Sequence, residues 1–340
     1  MKQQPFVTGL IAGAAAVLAG HRVVRSRHRI ELRGRTVAIT GGSRGLGLVM
    51  ARQFAAAGAH VCLLARDPEE LERAAAQVAA SGDAGVATYP CDVRSQADVD
   101  RVFADILERR TAIDILVNNA GVIQVGPLEH MRTEDFENAM ATHFWGPLYT
   151  MQACLPAMTR RGFGRIVNIA SIGGRLAVPH LAPYSASKFA LVGLSDAVRA
   201  EVERHGVRVT TVSPGLMRTG SPGNADFKGQ HDREFAWFAI ADSIPGMSVA
   251  AERAARQVLD ACRYGDPELT IGLPAKLAVR ASALAPEIIA AAMNVVVRCL
   301  PGEADGEGDQ SEKGKDTRSP WAPSALTTLS DRAAEVNNEV

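Results

Sequence analysis

Three side chains stand out for chemistry they could perform together: Ser171, Tyr184 and Lys188. In the run Tyr184-Ser-Ala-Ser-Lys188 the phenol and the ammonium are four positions apart, so a helix presents both on one face. A phenol with an ordinary pKa near ~10 is a poor base at neutral pH. A neighbouring ammonium stabilises the phenolate and draws its pKa toward the working range. Ser171 follows the apolar run 165–170, which reads as a strand, so it lies at the carboxyl end of a sheet, where α/β folds bind ligands. Its hydroxyl can hydrogen-bond a substrate oxygen. Met singly, each residue is more often structural; together they point to proton transfer at a carbonyl or alcohol oxygen, with Tyr184 as general acid and base.

The chemistry needs a partner that accepts or donates a hydride, and a second motif supplies its seat. Thr40-Gly41-Gly-Ser43-Arg44-Gly45-Leu46-Gly47 comes directly after an apolar strand, 36–40, and opens a helix. Glycines at 41, 45 and 47 let the backbone turn tightly and approach a pyrophosphate, which the helix N-terminus stabilises. The next strand ends at Ala65-Arg66-Asp67. An NAD site would place a carboxylate at the strand end for the ribose 2′-hydroxyl. Ala65 cannot serve, whereas Arg66 offers a permanent planar cation suited to a 2′-phosphate, with Arg44 as a second. NADP(H) is therefore the expected cofactor. The alternative is that both arginines are solvated and Asp67 takes the ribose.

The elements around these motifs alternate. Runs 36–40, 60–65, 115–120, 165–170 and 207–214 read as buried strands, and 46–57, 68–80, 95–109, 134–158 and 185–204 as helices. The expected fold class is α/β: a single Rossmann-type, doubly wound parallel sheet with helices on both faces. The long connection 215–248 carries Phe227, Phe235, Trp237 and Phe238 and reads as a lid. Helices follow at 250–264 and about 275–300, and residues 266–300 form an apolar helical extension. Residues 301–340 read as a largely disordered tail ending in a short amphipathic helix. Residues 1–30 form an apolar and then basic segment: 3–20 carry no charge and Arg22, Arg25, Arg27 and Arg29 follow. That pattern fits a short anchor holding the domain on the cytosolic side of a membrane; an Ala/Gly-rich helix that packs on the domain or lies on a membrane surface is the alternative.

Composition excludes other classes. The 37 basic and 37 acidic residues balance, so there is no electrostatic footprint for nucleic acid. The five cysteines are odd in number and form no C-x-x-C pair, which argues against a disulfide framework and for a reducing, cytoplasmic setting. The eight histidines are scattered and no metal site is expected.

Over residues 34–265 the chain resembles the short-chain dehydrogenase/reductase family. The matching pieces, in order, are TGGSRGLG, Cys91-Asp92-Val93, Asn118-Asn119-Ala120-Gly121, Ser171 thirteen positions before Tyr184, YSASK, and Pro214-Gly215-Leu-Met-Arg-Thr219. The resemblance implies that Asp92 and Val93 contact the adenine and that the Asn119–Gly121 region lines the nucleotide. It further implies that Lys188 and Tyr184 meet the nicotinamide ribose, and that Pro214, Gly215 and Thr219 hold the carboxamide end. It suggests a dimer or tetramer. One position departs from the family: where its pattern has a relay asparagine, Met140-Ala-Thr-His143-Phe-Trp-Gly146 has His143. A neutral imidazole keeps one donor and one acceptor and could hold a relay water; the alternative is a packing histidine.

The reading is an NADP(H)-dependent oxidoreductase interconverting a carbonyl and an alcohol on a hydrophobic small molecule. A membrane-associated, non-catalytic NADP-binding scaffold or sensor is the alternative from another class. An epimerase or dehydratase on the same fold would need a larger C-terminal substrate domain.

Overall fold

The computed structural model describes residues 20, 23, 25–304 and 308–339. Seven parallel strands form its centre: β1 (Thr36–Thr40), β2 (His60–Ala65), β3 (Val86–Pro90), β4 (Ile115–Asn118), β5 (Gly164–Ile169), β6 (Val207–Pro214) and β7 (Glu268–Ile271). They lie in the order β7-β6-β5-β4-β1-β2-β3, so the direction of strand addition reverses at β1 and opens a crevice between β1 and β4. Val37 pairs with Val61 on one side and Ile115 on the other, and the register brings Thr40 beside Asn118 at the crevice.

Strand side chains alternate between two apolar layers. Val37, Ile39, Leu63, Val117 and Val167 pack under α1 (Gly45–Ala56) and α8 (Ala251–Tyr264). Ala38, Leu64, Leu116 and Ile166 face α3 (Gln96–Arg109) and α5 (Gly146–Arg161). Because both faces are covered, β1 and β4 are apolar almost without interruption. The other helices of the domain are α2 (Pro68–Ala79), α4 (Thr133–Met140) and α6 (Ala182–Val202). The expected helix 134–158 is split: α4 and α5 are joined by a π turn, Ala141–Trp145.

Three expectations are corrected. The connection 215–248 is not one loop, because its centre is α7 (His231–Ser243). Phe235 and Phe238 of α7 pack on Phe227, while Glu234, fully buried, accepts from Nε1 of Trp237 (2.6 Å) and bonds Nδ1 of His180 (2.8 Å). The helix expected over 275–300 breaks at Pro286 into α9 (Leu273–Leu284) and α10 (Pro286–Val296). The tail is not largely disordered over the described residues 308–339. Residues 312–313 pair antiparallel with 226–227, Ala322 is buried against the α7 aromatics, and α11 (Thr328–Val336) docks beside α7. The polar tail lacks apolar mass of its own but borrows the body's strand edge and aromatic cluster, which alters its ordering cost. Among the described residues no helix is long and apolar enough to cross a membrane; the expected anchor, 3–20, lies almost wholly outside them.

Candidate active site

The glycine turn is built by close approach. Gly41 has φ +61°, and a side chain there would lie 2.8 Å from Cα of Ala120. At Gly47 an added methyl would overlap the carbonyl oxygen of Gly41, so α1 can rest on the turn only without a side chain. Thr40 Oγ1 accepts from the backbone N–H groups of Asn119 (3.0 Å) and Ala120 (3.1 Å), and Asn119 Nδ2 donates to the carbonyls of Thr40 and Gly41. The tips of β1 and β4 are thereby tied across the crevice. No side chain caps α1; the N–H of Gly45, its first residue, donates to the carbonyl of Asn337 (2.8 Å).

A cavity of about 580 Å³ runs from this turn to Tyr184 and Lys188. Among the residues expected to form the site, Thr40, Gly47, Ser171 and Gly215 do not line it, and the others do. Thr40 and Gly47 brace the turn from behind, and Gly215 is tied to β7 by its N–H bond to Ile271 (3.0 Å). Asp67 lines the cavity beside Arg66 and caps α2 with one oxygen, its Oδ1 accepting from the N–H groups of Glu69 (2.9 Å) and Glu70 (3.1 Å). Arg66 is exposed at the cavity rim. Asp92 forms a bidentate pair with Arg94 (2.6 Å to Nη2), which holds its carboxyl below the usual carboxylate range.

At the other end, β5 delivers Ser171, whose Oγ accepts from the N–H of Gly173 (3.0 Å) and starts a single 3₁₀ turn. Tyr184 and Lys188 project from the first half of α6. Lys188 Nζ donates to the carbonyl of Ile169 (2.8 Å) and lies 5.6 Å from the centre of the Tyr184 ring. Burial pushes Lys188 down to about 7. Burial also raises Tyr184, opposed by the Ser171 hydroxyl and reinforced by the charge of Asp242. The expected fall in the Tyr184 pKa is thus absent here: desolvation of the phenolate is the largest influence, and the buried ammonium is itself easily neutralised.

His143 is fully buried and both ring nitrogens are engaged. Nε2 accepts from the N–H of Val122 (3.1 Å), and Nδ1 bonds Ser187 Oγ (2.8 Å), which donates to the carbonyl of Tyr184 (2.9 Å). This fixes the tautomer with the proton on Nδ1 and leaves neither nitrogen free for a relay water, which supports the packing alternative. Burial and the Lys188 charge hold its pKa well below the ordinary value.

Sequence reasoning did not find four contributors. Thr150, Asn118, Asn168, Ser195 and Thr211 form a buried hydrogen-bonded chain behind the site, with links of 2.7, 2.9, 3.0 and 2.7 Å; only Asn118 fell in a quoted motif. Asp242 of α7 is buried near Tyr184, and burial holds its carboxyl up to about 8. The third is the Glu234–His180–Trp237 set that seats α7. The fourth is Glu339, which reaches the glycine turn from far along the chain. Only the apolar setting of Glu234 and Asp242 in α7 could have flagged any of these.

A Rossmann sheet with a glycine-turn crevice, and a Ser-Tyr-Lys set at the carboxyl edge, defines a dehydrogenase scaffold. The family profile for short chain dehydrogenases matches residues 35–227. The chain belongs to that family, and its match spans a little under two thirds of the length of the first curated relative. Dehydrogenase/reductase SDR family member 7B of Bos taurus is 38% identical over 204 residues, which are 58% of this chain and 63% of the relative. The Rattus norvegicus protein of that name is 31% identical over 293 residues, 84% of this chain and 88% of the relative. A short-chain dehydrogenase from Streptomyces avermitilis superposes with TM-score 0.67 at 30% identity, covering 78% of this chain and 99% of that one. L-sorbose reductase from Gluconobacter frateurii, solved with NADPH and L-sorbose, gives TM-score 0.64 at 25% identity over 72% and 97% of the two chains.

Proposed function

We propose that this protein is an NADP(H)-dependent reductase of a hydrophobic ketone or aldehyde, or the reverse dehydrogenase. The observation that carries the reading is one continuous cavity, bounded by the glycine turn and Arg66 at one end and by Tyr184 and Lys188 at the other. NADPH, when bound, supplies the hydride. The Tyr184 hydroxyl gives a proton to the substrate oxygen as the alcohol forms, and Ser171 hydrogen-bonds the same oxygen. Lys188, held by Ile169, stabilises the phenolate that remains and grips the nicotinamide ribose. Arg66, exposed at the cavity rim with Asp67 partly engaged as the cap of α2, is the reader of the 2′ position and favours a phosphate there. L-sorbose reductase, solved with NADPH, lends weight to the same cofactor. Ile123, Val178, Leu181 and Trp237, packed around Tyr184 and the α7 aromatics, favour an apolar substrate.

The exposed apolar residues Leu277 and Leu284 of α9 and Ile288 and Val295 of α10 offer a face for membrane or subunit contact. Tyr184→Phe should abolish NADPH oxidation against a panel of hydrophobic ketones while leaving NADPH affinity within about threefold, since only the proton donor is lost. Turnover at the parent rate in that variant would overturn the mechanism.

A further inference from the structure

The segment 328–339 lies across the seat of the dinucleotide. The carbonyl of Asn337 accepts from the N–H of Gly45 (2.8 Å), the first residue of α1. Asn338 Nδ2 donates to the carbonyl of Ser43 (2.9 Å), and its Oδ1 accepts from Arg73 Nε (3.1 Å). The Glu339 carboxylate sits over Gly45, so closely that a side chain on Gly45 would overlap its Oε1. It accepts from Asn224 Nδ2 (2.7 Å) and lies 3.7 Å from Arg44 Nε. Glu339 is only 9% exposed and lines the same cavity as Tyr184 and Lys188. The helix before it is seated as well: Gly220 stands against Ala334, where an added methyl would come within 2.6 Å of the Ala334 Cβ, and Asn337 Nδ2 donates to the carbonyl of Thr219 (3.3 Å).

An anion at the uncapped N-terminus of α1, held beside an arginine in the glycine turn, has the chemistry of a phosphate group in that place. We propose that residues 328–339 are an intramolecular stopper of the cofactor site, with Glu339 standing in for a cofactor phosphate, so that dinucleotide binding and tail docking exclude each other. The inference rests on the reading that a dinucleotide binds at the glycine turn. It makes the measured affinity the product of intrinsic affinity and the fraction of molecules with the tail undocked. Whatever releases or captures the tail then regulates the enzyme. Burial pushes the Glu339 carboxyl up to about 6, opposed by the Arg44 charge and the Asn224 hydrogen bond.

The test uses the full chain and two variants outside the catalytic set. Ala334→Arg cannot be seated against Gly220 and unseats α11; Glu339→Gln keeps the shape and removes the charge. Affinities for NADPH and NADH are measured by titration, and amide exchange is followed in 41–47 and 328–339. Expected is tighter binding of both cofactors, by about tenfold in Ala334→Arg and by about threefold in Glu339→Gln. Amide exchange in 328–339 of the parent chain should rise when NADPH is added. The shift common to both cofactors reports the stopper, whereas the NADPH/NADH ratio reports the phosphate assignment, so the two can fail separately. Unchanged or weaker binding in both variants would overturn the proposal and make the tail a clamp or a bystander. Absence of binding to the parent and to Ala334→Arg alike would overturn the cofactor reading and the stopper together.

Discussion

Gly47→Ala sets two effects of opposite sign against each other. Within a helix, alanine is favoured over glycine by up to about 1 kcal/mol. Against this, the new methyl would overlap the carbonyl oxygen of Gly41 and lie 2.6 Å from Asn119 Nδ2 and 2.9 Å from the Gly41 carbonyl carbon. Two of those three atoms are backbone and cannot rotate away. Overpacking of this kind costs about 1–3 kcal/mol. Displacing the Asn119 amide also weakens its bonds to Thr40 and Gly41, at about 1 kcal/mol each. The net expectation is destabilisation by about 2–4 kcal/mol, seen in urea unfolding as a midpoint lowered by roughly 1 M with an unchanged slope. NADPH affinity should fall as well, since α1 can no longer rest on the turn. A variant as stable as the parent would show that α1 does not lie against Gly41 and would refute the packing described for the turn.

Arg66→Ala should weaken NADPH binding by about tenfold or more, a charge-assisted bond being lost, and leave NADH binding unchanged; equal effects on both cofactors would remove Arg66 as the phosphate reader. His143→Ala empties a fully buried position and leaves the half-buried Val122 N–H without its partner, so the unfolding midpoint should drop by the equivalent of about 1–3 kcal/mol. The pH profile of the remaining turnover should stay in place; a shifted profile would restore the relay role. For Asp242 the folded value of about 8 exceeds the unfolded value near ~3.9, so between these pH values the folded state holds a proton that the unfolded chain has lost. Stability from this group therefore declines as pH rises through that window. Asp242→Asn should gain on the parent by roughly 2–4 kcal/mol from pH ~5 to ~8, a gap read by denaturant melts at both pH values. A constant gap would show that the carboxyl is ionised in the fold.

What was legible in the sequence follows from what a local pattern can carry. β1, β2, β4, β5 and β6 are buried on both faces and announce themselves as apolar runs. β3 and β7 are edge strands, and Val-Ala-Thr-Tyr-Pro and Glu-Leu-Thr-Ile have no such run. α7 escaped because it is packed on several sides, burying Glu234 and Asp242 together with Phe235 and Phe238, which blurs the helical period. The Ser171, Tyr184 and Lys188 set was readable because strand end and helix spacing place it locally. His143 was readable as a departure, but only the fold shows that Val122 and Ser187 use up its ring. Docking of 328–339 is a contact between positions almost 300 apart, held by asparagine side chains that any solvated tail might carry; no local pattern encodes it.

The buried chain from Thr150 through Asn118, Asn168 and Ser195 to Thr211 spans β4, β5 and β6 within the layer of Leu116 and Ile166. Apolar side chains alone tolerate sliding, since one valine replaces another at a small cost. An amide does not: if β5 shifted by a single residue, Asn168 would leave both of its partners and turn to the opposite face. The chain of amides and hydroxyls thus works as a key cut into an otherwise uniform lock, fixing which strand atoms face one another. Alignment of the Ser171 loop with the Asn119 tip across the crevice is inherited from that key, so the geometry of the candidate site is set partly by residues that do not line its cavity.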